Sequence, residues 1–264
     1  MRRIRRGVST TFGVIALVVL VLTAVPVGAA STATMKSEQE GPDGYQQGVA
    51  RVPDGWIFTG TTVMARANEQ LKIVKTNTQP IPLEWKRKGF NHVGDPDVVG
   101  KFLYAPLEQP TYERGDQAVA RYNAKSLELV DIVPLAQHEA SFITVDPKTM
   151  IAYSMDRFGG DALLRYDVRK QWAPLPPLTM SRFVDKVQGA DVADGAVWLS
   201  TYDDTNGLFR VDLKTGRVDA LGSAGHVPGE GEGIDATALK SGMLHVLTVD
   251  PSRSPVWFGH FAVS

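Results

Sequence analysis

The same short strand pattern occurs five times along this chain at nearly even intervals, and this repetition limits the fold more than any other feature. Each copy alternates apolar residues and ends on Thr, Ala or Ser, and these small residues are 46, 49, 46 and 48 positions apart. A turn signal precedes each copy, so each copy is predicted to be the second strand of a hairpin. The copies are 56–59, 102–105, 151–154, 197–200 and 245–248.

A third strand follows in the three middle units and ends on Asn123, Asp167 or Asp212, at spacings of 44 and 45 residues. Asn and Asp open turns because their side chains bond nearby backbone groups, and a fourth strand such as 217–221 then returns. Four antiparallel strands in each of five units predict an all-β fold, a five-bladed β-propeller. The alternative is a β-sandwich of evenly spaced hairpins, although a sandwich does not require a recurring four-strand unit.

The five units cover Gln47 to Ser264, and the last unit is one strand short. It offers only the segments 234–239, 244–249 and 256–263. Ring closure is therefore either three-stranded or completed by a strand borrowed from residues 36–45. We assign residues 46–264 to the propeller domain and residues 31–45 to a linker.

The first thirty residues have the pattern of a secretory signal peptide. Four Arg lie within positions 2–6, an apolar run covers 12–25, and small residues follow at 28–30. We therefore predict a secreted, extracellular protein. The alternative is an uncleaved membrane anchor, because no charged residue lies between positions 7 and 35 and about 18 apolar residues can span a bilayer.

Charge and motif content exclude several functions. Residues 31–264 carry 24 Lys and Arg against 29 Asp and Glu, a net charge of −5. This balance argues against a nucleic-acid partner, which would need clustered positive charge. The chain has no Cys nucleophile, and it contains neither a Gly-x-Ser-x-Gly elbow, nor a His-Glu-x-x-His motif, nor a phosphate-binding loop.

Propeller topology brings polar residues from all blades to one face of the disk. Strands alternate in direction, so the start of each innermost strand lies on the same face as the loop after the second strand. A polar funnel at that face is the predicted ligand-binding site. Its candidate residues are Gln47, His92, Asp95, Glu108, Gln188 and Glu232. Gly recurs at four of the five inner-strand starts, as expected where backbones crowd a channel.

Carboxylate and amide oxygens in this funnel suit a hard cation such as Ca²⁺. Asp95, Gln188 and Glu232 form the candidate metal set, and His92 is the candidate catalytic base because imidazole accepts protons near neutral pH. The alternative is a structural role. Asp side chains near strand starts bond turn amides, and polar residues in a channel often hold water.

Several segments together resemble a group of secreted microbial β-propeller proteins without an assigned activity. They are 47–48, 92–96, 104–108, 142–147, 188–189, 232–234 and 260–261. More distantly, the Glu232-Gly233-Ile234 segment and the repeated Leu-x-Arg-Tyr-Asp strands resemble the lactonase and strictosidine-synthase-like propeller superfamily. Members of that superfamily are typically six-bladed and hold a divalent metal in the channel, so this resemblance implies metal-assisted hydrolysis.

Two functions are consistent with these observations. The first is a secreted propeller that binds a small molecule, a glycan or an extracellular protein on its polar face. The second is a Ca²⁺-assisted lactone or ester hydrolase of the gluconolactonase-like kind. We prefer the binding function because the sequence contains no recognisable catalytic set, and a fold alone does not establish chemistry.

Overall fold

The computed structural model of the protein describes residues 31–156 and 159–264. Five antiparallel sheets succeed one another along the chain, and each contains the four strand positions of a propeller blade. The prediction of an all-β, five-bladed β-propeller is confirmed. The predicted signal peptide, residues 1–30, lies outside the described residues. Within the described ranges, no helix is long and apolar enough to cross a membrane.

Each blade runs from an innermost strand at the channel to an outermost strand at the rim. Blade 1 consists of Gly48–Val52, Gly55–Gly60, Val63–Ala67 and Ile73–Asn77. Blade 2 has a divided inner strand, His92–Val93 and Asp97–Val99, followed by Phe102–Glu108, Gln117–Asn123 and Leu129–Leu135. Blade 3 consists of Thr144–Val145, Ile151–Ser154, Gly160–Asp167 and Ala173–Val184. Blade 4 consists of Val187–Ala193, Ala196–Thr201, Gly207–Asp212 and Val218–Ser223. Blade 5 consists of Glu230–Asp235, Met243–Val249, Val256–Val263 and Ala33–Glu40.

Helical structure in the described chain is limited to short connections. The α-helix Leu83–Arg87 links blades 1 and 2 and buries Trp85. The other helical segments are 3-10 turns at Tyr112–Arg114, Val168–Lys170 and Leu239–Ser241.

Blade 5 is completed by the N-terminal strand. Ala33–Glu40 pairs antiparallel with Val256–Val263, in a register that runs from Ala33 opposite Val263 to Glu40 opposite Trp257. Of the two closures left open by the sequence, the borrowed strand is the one observed, although it covers residues 33–40 and not 36–45. Residues 33–40 were expected to belong to a linker, but they belong to the folded ring.

The core lies between the blades, where apolar faces of neighbouring sheets meet. At the junction of blades 5 and 1, the buried rings of Phe58 and Phe258 contact edge to face, with their centroids 5.7 Å apart. Such contacts arise because side chains alternate along a strand and every blade is covered on both faces. The inner strands thus converge on a narrow channel.

A side-chain hydrogen bond crosses each of the five boundaries between neighbouring inner strands, and we call these contacts the seam bonds. Each joins a main-chain amide to an Asp or Thr side chain, and four of the acceptors are Asp. In ring order they are Val49 N to Asp95 at 2.9 Å, Val145 N to Asp97 at 2.6 Å, Val192 N to Thr144 at 2.8 Å, Ala236 N to Asp191 at 2.6 Å, and Arg51 N to Asp235 at 2.8 Å. The seam bonds satisfy inner-strand amides that face the channel instead of a neighbouring strand.

Glycines line the tightest part of the channel, as the sequence predicted. A Cβ atom added to Gly233 would lie 2.6 Å from the Cα of Gly48 and 2.5 Å from an Oδ1 of Asp95. A Cβ on Gly189 would lie 2.5 Å from the carbonyl oxygen of Glu232. All three distances are far shorter than van der Waals contacts allow, so the inner strands require Gly at these positions.

Candidate functional site

Four of the predicted site residues meet at one mouth of the channel in a continuous chain of polar contacts. Ala140 N donates to Oε1 of Glu108 at 2.7 Å, and Oε2 of Glu108 lies 3.3 Å from Nδ1 of His92. Nε2 of His92 bonds Oε1 of Gln47, whose Nε2 donates to Oε1 of Glu232 at 3.3 Å. We call the set Glu108, His92, Gln47 and Glu232 the channel-mouth network.

Local structure explains why these residues meet. His92 and Glu108 are directly opposite each other on neighbouring antiparallel strands, so their side chains project on the same face. Gln47 immediately precedes the inner strand of blade 1. Its main-chain N–H donates to the carbonyl oxygen of Thr59 at 2.8 Å. Glu232 lies within a register shift of blade 5 between Gly231 and Ile234, which re-aims the side chain.

The order of donors and acceptors determines where the protons lie. The amide group of Gln47 donates to Glu232, so its Oε1 must accept from Nε2–H of His92. Neutral His92 then presents an unprotonated Nδ1 to Glu108, which favours the protonated form of Glu108. Burial raises the pKa of Glu108 to about 7 and lowers the pKa of His92 to about 4, in agreement with this arrangement.

Two further residues extend the network, and the sequence pattern did not indicate them. Nη1 of Arg253 lies 3.5 Å from Oε1 of Glu232, and Nη2 lies 3.0 Å from Glu230. The Arg253 side chain is 52% exposed, which leaves part of the guanidinium open to a ligand. Burial raises the pKa of Glu232 well above its usual range, the nearby carboxylate of Glu230 adds to this, and Arg253 opposes it. One sequence feature could have indicated Arg253. It lies in the loop after the second strand of blade 5, and the propeller topology places that loop at this mouth of the channel.

Gln188 takes its predicted place on the inner strand of blade 4, where it is half-buried. Within the described residues, its side chain makes no hydrogen bond or ion pair. The amide therefore has free donors and acceptors. Gly189, the next residue, packs against the carbonyl oxygen of Glu232. The main chain of Gln188 therefore lies in the same part of the channel as the channel-mouth network.

Asp95 lies deeper than the funnel predicted from sequence. It is fully buried, and its Oδ1 accepts from Val49 N while its Oδ2 accepts from Ala190 N at 3.0 Å and Ile234 N at 3.4 Å. Burial raises its pKa well above the usual range, and the three amide donors oppose that rise. Its carboxylate connects blades 1, 2, 4 and 5.

The predicted metal set does not fit a Ca²⁺ ion in this arrangement. Ca²⁺ takes six to eight oxygen ligands, but both oxygens of Asp95 already accept amide hydrogens. In residues 31–156 and 159–264, no three His, Asp or Glu side chains converge on a point that could hold a metal. The channel mouth is therefore better described as a hydrogen-bonding site than as a calcium centre.

Comparisons with known proteins identify the fold and nothing finer. No family model matches the chain, and no curated protein sequence matches it. Among solved structures, the luciferin-regenerating enzyme superposes with a TM-score of 0.52 at 11% identity, covering 81% of this chain and 74% of that one. Weaker similarities, which carry no argument, are to Kuenenia stuttgartiensis hydrazine synthase (TM-score 0.47, 11% identity, 81% and 58% covered) and the mitotic checkpoint complex (TM-score 0.48, 13% identity, 92% and 74% covered). The first match supports the β-propeller fold.

Glu108 is expected to make the protein less stable as pH rises. Its folded pKa of about 7 is above the value in an unfolded chain, so its stabilising contribution is complete below about pH 4 and is lost as pH rises through 7. We expect a loss of about 1 kcal/mol between pH 6 and pH 8 from this group. Glu108→Gln should remove that loss, because a Gln amide mimics the protonated acid towards His92 and Ala140.

Urea denaturation of the wild type and Glu108→Gln at several pH values measures this effect. The exposed Glu84→Gln on the short helix is the matched control and should keep the wild-type pH dependence. If the free energy of unfolding changes with pH equally in the wild type and in Glu108→Gln, Glu108 is already ionised at pH 6.

Proposed function

We propose that the channel mouth binds a polar ligand rich in hydroxyl groups, namely a glycan or a small polyhydroxylated molecule. The observation that carries this proposal is the channel-mouth network, which three blades build from polar side chains. Burial raises the pKa of Glu108 and of Glu232, which favours their protonated forms, and lowers the pKa of His92, which favours its neutral form, so the surface offers alternating donors and acceptors. Neutral hydroxyl groups match such a surface, because each can donate and accept.

The partly exposed groups supply the contacts that a ligand needs. His92 is 29% exposed, the Arg253 guanidinium is half exposed, and the Gln188 amide has no partner within the described chain. An amide without a partner can bond a hydroxyl group without breaking an existing contact. An extracellular protein that carries a glycan would present the same chemistry.

The location of this binding follows from the N-terminal sequence. Residues 1–30 have the charge and apolar pattern of a signal peptide, and we propose that the propeller works outside the cell. If the segment is retained as an anchor, the propeller is displayed at the membrane surface. The resemblance to secreted microbial propellers supports the same location.

A binding assay with a matched pair of variants tests the proposal. A panel of mono- and oligosaccharides is added to the protein, and unfolding is followed by differential scanning fluorimetry. A true ligand at 100 times its Kd adds about 2.7 kcal/mol of stability. Gln188→Ala should abolish this effect without changing the unliganded midpoint, while the exposed Gln70→Ala on the blade 1 loop should retain it. A sugar that stabilises both variants equally would place the binding site elsewhere, and a silent panel would contradict the proposed ligand class.

Lactone or ester hydrolysis is the second candidate, and the His92–Glu108 pair is the observation that favours it. Above pH 7, ionised Glu108 would accept Nδ1–H of His92, and Nε2 would become a proton acceptor once a substrate displaces Oε1 of Gln47 from it. This chemistry does not require the Ca²⁺ ion that the superfamily resemblance implies. Turnover that rises with pH through about 7 and is lost in His92→Ala would establish hydrolysis. Equal rates for the wild type and that variant would exclude this role of His92.

A further inference from the structure

Two histidines face each other in a groove at the opposite end of blade 5 from the Arg253 loop. His245 and His260 are directly opposite each other on the neighbouring strands Met243–Val249 and Val256–Val263. Their Nδ1 atoms are 2.7 Å apart. This distance is that of a hydrogen bond between the two rings, and it leaves both nitrogens within reach of one ion that replaces the shared proton.

The groove around this pair is open and has room for further ligands. It has a volume of about 390 Å³ and lies between blades 5 and 1. Met243 also lines it, two residues before His245 and hence on the same face of the strand. Both histidines are half-buried, so water reaches the groove.

The distance between the nitrogens favours a right-angled arrangement of ligands over a tetrahedral one. At a bond length of about 2.0 Å, two nitrogens 2.7 Å apart subtend an angle of about 85° at the ion. That angle is close to the right angle between adjacent ligands in square-planar Cu²⁺ complexes. Tetrahedral Zn²⁺ would require the nitrogens to be about 3.3 Å apart.

We propose that His245 and His260 bind one Cu²⁺ ion through their Nδ1 atoms, with water in the remaining equatorial positions. Both rings stay neutral in this complex. The proton that now bridges the two Nδ1 atoms moves through solvent to an Nε2, so that each ring carries one proton on Nε2. The thioether of Met243 is a soft ligand that copper accepts and hard cations do not.

The surrounding charges permit a cation in the groove. Arg51 is the nearby positive group, and Glu69 neutralises it through two hydrogen bonds, with Nη1 to Oε2 at 2.8 Å and Nη2 to Oε1 at 2.5 Å.

Titration of the untagged full-length protein with Cu²⁺ tests this proposal at pH 7. We expect one tightly bound Cu²⁺ per chain, an electron paramagnetic resonance spectrum with coupling to two imidazole nitrogens, and binding at least tenfold weaker for Zn²⁺. The fluorescence of Trp56, whose ring lies edge to face with His245 at 4.8 Å, should be quenched.

Three variants identify the ligands. His245→Gln and His260→Gln should each weaken Cu²⁺ binding at least tenfold, and circular dichroism shows whether they remain folded. His138→Gln, which removes a half-buried histidine from another blade, should bind as the wild type does. If His245→Gln does not fold, the more exposed His260→Gln carries the test. Unchanged affinity in a folded His260→Gln, coupling to a single nitrogen, or tighter binding of Zn²⁺ would overturn the proposal.

Discussion

Replacing Asp95 with Ala is expected to destabilise the propeller by about 3–9 kcal/mol. The change leaves the amides of Val49, Ala190 and Ile234 buried without an acceptor, and each unmatched buried donor costs about 1–3 kcal/mol. These amides belong to three different blades, so the whole ring is affected. Since domains of this kind are stable by about 5–15 kcal/mol, a large share of the total is lost.

Urea denaturation followed by tryptophan fluorescence measures the Asp95 effect. Asp95→Asn should be intermediate, because its one carbonyl oxygen still accepts a hydrogen bond while its amino group faces amide donors. The exposed Asp204→Ala is the control and should change stability by less than about 0.5 kcal/mol. A loss below about 1 kcal/mol for Asp95→Ala would mean that solvent or a repacked side chain satisfies the three amides.

Removing the N-terminal strand is expected to have an effect of similar size. A chain that begins at Gly41 lacks the outer strand of blade 5 and leaves the edge of Val256–Val263 unpaired. It also loses the hydrogen bond between Oε2 of Glu38 and Nε2 of His226, 2.7 Å long. We expect at least about 4 kcal/mol of lost stability, a substantial part of the usual total, and a tendency to associate through the open edge.

Thermal unfolding of two truncated chains tests this prediction. The chain from residue 31 keeps the strand and serves as the control for the chain from residue 41. A synthetic peptide of residues 31–41 should restore much of the missing stability to the shorter chain by pairing with its open edge. Equal midpoints for both truncated chains would show that a three-stranded last blade is sufficient.

The sequence predicted the number and order of blades because each blade repeats a local pattern. Alternating strands and turn residues are properties of neighbouring positions, and they recur five times. Closure was left open for the opposite reason. Ala33–Glu40 is mostly polar and exposed, so no apolar alternation identifies it as a strand, and its partner lies at the other end of the chain.

The sequence predicted which face of the disk carries the candidate site, but not how deep each side chain lies in the channel. Topology places Gln47, His92, Glu108 and Glu232 at one mouth, because it fixes the ends of strands. It does not determine whether a side chain points outward or inward. Asp95 points inward because its own main chain bridges to blade 3, where Asp95 N donates to Ser141 O at 2.8 Å. Arg253 was missed because its partners, Glu230 and Glu232, come from a different strand of the blade.

The pairing of two segments so far apart in sequence also determines when folding can finish. Ala33–Glu40 precedes its partner, Val256–Val263, by more than 200 residues. Blades 1 to 4 can assemble without this pair, but the ring stays open until the two strands meet. A contact of such long range slows the last step of folding. Before it pairs, the strand Ala33–Glu40 has an exposed edge. Its charged residues Lys36, Glu38 and Glu40 protect that edge from aggregation.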